Sequence, residues 1–195
     1  MKGTAEMWRR FRGSLVALLR FALPAVGATV LVIGLTSGQA LAYNNNSNPL
    51  FGPAKFPFGA VQWKWGPSIN TSGYWADGFV RASGVWTGAN ASAWLAYNSS
   101  AQSTADVYSA ADGNGGINYW GYNCCWTLAQ FQAYGNVNYN GDSAGYWTRI
   151  KQVTAHEMGH GIGMGHSTSW AVMQYDAPTD TLTTDDLNGI HAIYP

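Results

Sequence analysis

The chain of 195 residues has room for one domain or a small pair. Its formal charges cancel overall, but residues 1–42 hold five cations and one anion, whereas residues 43–195 hold five cations and nine anions. Five scattered cations cannot track a phosphate backbone, which excludes a nucleic-acid partner. Twenty of the 21 Trp and Tyr residues lie beyond residue 42, which supplies buriable area and excludes a disordered chain. Two cysteines are too few for a disulfide scaffold.

Residues 1–20 carry the positive charges, 21–35 (FALPAVGATVLVIGL) are apolar and uncharged, and Ala40-Leu41-Ala42 is an A-x-A cleavage signal. Residues 1–42 are therefore read as a signal peptide cut after Ala42. The protein is expected to be secreted, with no stable membrane insertion after cleavage, because the apolar run is short of a span and holds Pro24. Residues 43–59 are rich in Asn, Pro and Gly and are read as an irregular arm. Residues 60–65 (AVQWKW) predict a first strand. Over 74–87, Trp75, Phe79, Ala82 and Trp86 fall at helical spacing and predict a helix with these residues in the core. Residues 92–97 and 105–109 predict short strands, 111–125 a Gly/Asn-rich loop, and 130–140 a further strand. Residues 147–161 predict a helix and 163–182 an irregular segment. Thr183 with Asp186 forms a capping box that opens a last helix over 184–193. This order argues an α+β domain over 60–195, with one sheet carrying helices on one side.

The chemistry lies in residues 156–166, HEMGHGIGMGH. His156 and His160 are four apart and share a helix face, so both imidazoles can reach one ion. Zinc takes nitrogen ligands at about 2.0–2.1 Å, and a catalytic site takes three protein ligands and water. His166 would point away on a continued helix. Gly163 can adopt a positive φ, end the helix and turn His166 back to the ion. Glu157 follows the first ligand and is the only glutamate in residues 43–195. A carboxylate beside a zinc-acidified water can take its proton and pass it on.

This segment resembles the long zinc signature of the metzincins, H-E-x-x-H-x-x-G-x-x-H with a Met-turn. Ala171-Val172-Met173 is similar to that turn, which makes Met173 a structural floor under the metal. Ser167 after the third histidine and Asp185-Asp186-Leu187-Asn188-Gly189-Ile190 resemble the matrixins. The resemblance implies a twisted, mostly parallel sheet with an active-site helix, a Met-turn and a C-terminal helix. It implies a zinc endopeptidase with His156, His160 and His166 as ligands and Glu157 as general base and acid. Its substrate would be a protein or peptide laid against an edge strand, and the domain is expected to act as a monomer. It also implies that Asp185 pairs with the processed N-terminus and that Asp186 holds the Met-turn backbone.

The chain departs from the matrixins in three ways. Residues 43–59 hold no cysteine to cap the zinc, and no histidine precedes His156 to hold a second, structural zinc. The Tyr lies two places after the methionine, which is similar to astacins and serralysins and implies that Tyr175 stabilises the transition state. Asp106, Asp112 and Asn114 offer oxygen ligands for Ca2+. Cys124-Cys125 leave three states open: a vicinal disulfide, pairing between chains, or free thiols. Three other readings stand beside the general peptidase: a catalytically silent zinc-containing protein, a carbohydrate- or cell-wall-binding module built on the aromatics, and a highly specific processing enzyme with one partner substrate.

Overall fold

The computed structural model describes residues 43–45, 47–48, 52–53, 55–57, 59–122 and 128–195. The expected signal peptide and the Cys124-Cys125 pair lie outside the described residues.

The main sheet has five strands: β4 (Gly59–Trp65), β5 (Ala93–Tyr97), β6 (Ser103–Tyr108), β7 (Gly116–Tyr122) and β8 (Leu128–Asn136). Three short strands precede it: β1 (Tyr43–Asn45), β2 (Ser47–Asn48) and β3 (Gly52–Pro53). The spatial order is β5-β4-β6-β8-β7. All pairings are parallel except β7 with β8. Parallel neighbours need crossover connections, and α1 (Tyr74–Thr87) supplies the one from β4 to β5. Alternation in β4 buries Val61 and Trp63. The expected α1 stripe is the buried one: Trp75, Phe79, Ala82 and Trp86 are each at most 1% exposed. Gly73 offers no capping side chain, and Asp142 Oδ1 from a distant loop accepts from the Trp75 N–H instead.

A single turn, α2 (Val137–Asn140), follows β8, and α3 (Trp147–Gly161) packs on α1 and β8. The Trp86 indole donates to the Ala155 carbonyl at 2.8 Å and ties the two long helices together inside the core. The last elements are β9 (Met164–Ser167) and α4 (Thr184–Ile193). The capping box of α4 is present, with the Thr183 hydroxyl accepting from the Asp186 N–H. Among the described residues no helix is long and apolar enough to cross a membrane.

Three segments differ from the sequence expectation. Residues 116–122 are a strand rather than loop, because antiparallel pairing with β8 satisfies their backbone. The glycines that argue against a strand are there for close approach: a Cβ on Gly121 would lie 2.7 Å from Gln130 Cγ. Within the expected irregular segments, Tyr43–Asn45 pairs antiparallel with Met164–Ser167. Ser47–Asn48 pairs with Gly52–Pro53. Such two-stranded pairs are too short for side-chain alternation to reveal them.

Candidate metal centre

The HEMGH segment occupies the last two turns of α3, where burial is nearly complete. His156 and Glu157 are each 5% exposed and His160 is 8% exposed. The helix closes at Gly161, and Gly163 takes φ 97°, the left-handed conformation that glycine adopts without strain. The chain reverses there into β9, which carries His166. The imidazole nitrogens of His156, His160 and His166 then fall within 4.8 Å of one another.

Two backbone carbonyls orient the first two rings. His156 Nδ1 donates to Val172 O and His160 Nδ1 to Met164 O, each at 2.8 Å. With Nδ1 carrying the proton, each Nε2 presents its lone pair, the tautomer a metal requires. His160 Nε2 lies 3.2 Å from His166 Nε2. Two nitrogens bound tetrahedrally at zinc distances are separated by about 3.3 Å. The donor set therefore fits zinc. Burial, followed for His160 by the neighbouring imidazoles, lowers the histidines' proton affinity: His156 to about 4 and His160 to about 3, with His166 also lowered. Neutral imidazoles are the ligand form.

Glu157 lies beside this cluster. Burial pushes its carboxyl up to about 8 in the metal-free protein. Its Oε2 is buried and has no hydrogen-bond donor from the protein. Such an orphan acceptor is costly unless a water or substrate proton meets it. Strand β7 sets the space around it. A Cβ on Gly116 would lie 2.6 Å from Glu157 Oε1, so only glycine lets the strand pass this close. From the same strand, Asn118 Nδ2 donates to Glu157 O and Trp120 Nε1 to His160 O, each at 2.8 Å. Neither Asn118 nor Trp120 is singled out by the sequence, since their roles depend on pairing a strand that reads as loop. The cleft between β7, α3 and residues 175–177 has a volume of about 430 Å³.

The Met-turn lies beneath. Ala171, Val172 and Met173 are fully buried. Asp186 holds them as expected, accepting from Val172 N–H at 3.0 Å and Met173 N–H at 3.1 Å. Asp185 accepts from the Ser167 hydroxyl at 2.6 Å. Tyr175 is 71% exposed at the cleft, its ring 5.2 Å from that of His166.

Nothing in the structure supports the candidate calcium site, whose carboxylates are met by protein donors. Asp106 Oδ1 accepts from the N–H groups of Ser68 and Val107. Asp112 takes three protein donors, from Tyr108, Asn114 and Asn136. The Asn136 amide donates to Asp112 Oδ1 and to the Ala110 and Asn114 carbonyls at 2.9–3.1 Å, and so gathers the oxygens a cation would otherwise gather. Among the described residues, the histidine triad is the group of metal-binding side chains that converges.

Comparison with known proteins agrees with this architecture. Interstitial collagenase of Bos taurus is 34% identical over 70 residues, which cover 31% of this chain and 14% of that protein. The matched segment thus spans a small part of the relative's length. The matrixin family model matches residues 84–195, more than half of the chain and all of its metal-centre residues. By that match and by its mostly parallel sheet, histidine-bearing helix and Met-turn, the chain belongs to the matrixin family.

Proposed function

We propose that this chain is a secreted zinc endopeptidase, made with a signal peptide over 1–42, an arm over 43–59 and a catalytic domain over 60–195. The carrying observation is the convergence of three imidazoles, two of them oriented by backbone carbonyls, beside a buried carboxylate with an unpartnered oxygen. Family membership supports the class of activity. His156, His160 and His166 would hold the zinc. That ion, when bound, acidifies a water and polarises a carbonyl oxygen.

The chain's own residues do the rest. Among the described residues β7 is an edge strand of the sheet, and its Gly116, Ile117, Asn118 and Trp120 line the cleft. An extended peptide adds to such an edge by main-chain hydrogen bonds, which positions the bond to be cut over the histidine cluster. Glu157 accepts a proton from the attacking water and returns it to the leaving amine nitrogen. Its unpartnered buried oxygen is the atom free to take that proton. The Tyr175 phenol, whose ring lies 5.2 Å from that of His166, would donate to the developing oxyanion. Met173 acts as floor and touches no substrate. The domain works as a monomer on proteins or peptides. Cleavage after Ala42 would start the mature chain at Tyr43, which pairs with Ser167, the residue bonded to Asp185. An ammonium there would pair with the Asp185 carboxylate.

The test is hydrolysis of an unfolded protein by residues 43–195. Activity should vanish on chelation, return with zinc, and fall about 10²–10⁴-fold in Glu157→Gln with zinc still bound. Zinc binding without cleavage of any substrate would move the protein to the silent, metal-containing class.

A further inference from the structure

Arg149 lies seven residues before His156 on α3, two turns along the same face, and also lines the cleft. About 10 Å of helix axis separates the two, within the span of one extended residue and its side chain. Its Nη1 donates to Asp176 O at 2.6 Å and Ala177 O at 3.1 Å. On the opposite side, a Cβ on Gly115 would lie 3.5 Å from Nη2, so the guanidinium spans from the 176–177 segment to the glycines before β7.

Among the described lining residues Arg149 is the one Lys or Arg. It is half-buried, and both acceptors on Nη1 are neutral carbonyls. Burial draws its proton affinity down while the charge of Asp176 opposes that shift. Guanidinium stays charged in proteins, and a partly desolvated cation gains most from a carboxylate that meets its fork. A peptide in this cleft meets that fork a short way from the histidine cluster.

On the peptidase reading above, we propose that Arg149 makes the cleft select substrates carrying a carboxylate within one or two residues of the bond to be cut. The carboxylate is that of an Asp or Glu side chain or of the peptide's own C-terminus.

Matched peptides with Glu, Gln, Leu or Lys at each position flanking the cut, free or amidated at the C-terminus, test this. For the wild type, Glu should exceed Gln at one flanking position by about 10–100-fold in kcat/KM, the worth of a charge-assisted pair. If amidation removes the preference instead, the terminal carboxylate is the group recognised. Arg149→Leu should bring Glu and Gln to near parity while zinc content is unchanged. Arg149→Lys should keep part of the preference, since it keeps the charge without the fork. A wild type indifferent to charge at every position and to amidation would overturn the proposal. So would an Arg149→Leu loss equal for all peptides, which would mean that Arg149 only ties down residues 176–177. If no peptide is cut, the peptidase reading fails, and equilibrium binding of the same peptides to zinc-loaded Glu157→Gln decides the matter. A preference for Glu or for a free terminus that Arg149→Leu abolishes there sustains the carboxylate site, and its absence ends it.

Discussion

At Gly116 one missing methyl group sets the position of the carboxylate proposed to move the proton. A Cβ there would lie 2.6 Å from Glu157 Oε1 and 2.7 Å from its Cγ, so Gly116→Ala must displace either the carboxylate or the strand. Misplacement of a reacting group by about 1 Å costs roughly 10²-fold in rate. Gly116→Ala is expected to lower kcat/KM by that order with zinc content unchanged, and metal analysis beside steady-state kinetics checks it. Full activity in the variant would show that the carboxylate tolerates the displacement. Glu157 also makes the metal-free protein sensitive to alkali. Its ordinary carboxyl value of 4.5 rises to about 8 on burial, so between these values the folded state binds more protons than the unfolded state. Stability from this group is full below 4.5 and is lost as pH rises through 8. The buried imidazoles act oppositely, since their lowered values favour the fold above 6.5 and are felt only below it. The window from 6.5 to 8 therefore isolates Glu157. Chelated wild type should lose Tm across it relative to Glu157→Gln, and parallel Tm curves would refute the assignment.

At the scale of elements, helix α4 reaches the metal centre through one side chain. Asp186 is fully buried and accepts from Thr183 N–H and its hydroxyl as well as from the N–H groups of Val172 and Met173. Val172 O in turn orients His156. Asp186→Ala leaves these donors unmet in the core, at a cost of roughly 3 kcal/mol, or a Tm lower by about 6–12 °C in a domain this size. It should also weaken zinc binding about 10–100-fold, as loss of an outer-shell partner does. Calorimetry and competition with a chromogenic chelator read the two effects. A stability loss without an affinity loss would confine Asp186 to capping α4. Helix α4 and the histidine-bearing end of α3 are legible in the sequence because their signals are local: a capping box, two histidines four apart and a glycine at the turn. The aromatic face of α1 is legible for the same reason. Strand β7 is not, since its Gly116, Asn118 and Gly121 oppose a strand by intrinsic preference. Their reasons lie elsewhere in the fold, in Glu157, the carbonyl of Glu157 and Gln130. Trp120 and Arg149 escape notice for the same cause, because each acts on a partner at least 27 residues away.

The molecule as a whole completes its candidate metal site from both ends of the described domain. Strand β9 supplies His166 directly and fixes His160 through Met164 O. It is paired on one side by β1, with Tyr43 opposite Ser167 and Asn45 opposite Met164. From the other end of the domain, Asp185 holds the Ser167 hydroxyl. A four-residue strand cannot hold its own conformation, and a two-stranded pair is marginal without outside support. β1 and α4 therefore act together on the third ligand. A chain beginning at Ser47 lacks β1 and should bind zinc about 10-fold more weakly than one beginning at Tyr43, the order seen when the support of a ligand is lost. The faster metal loss should come with a lower Tm that saturating zinc restores in part, because ligand binding adds stability in proportion to the logarithm of its concentration over Kd. Asp185→Asn in the longer chain should move both quantities in the same direction by a smaller amount. Chelator competition on the three proteins gives the ranking, and equal zinc affinity in all of them would mean that β9 holds His166 by the Gly163 turn and its link to the Met-turn alone.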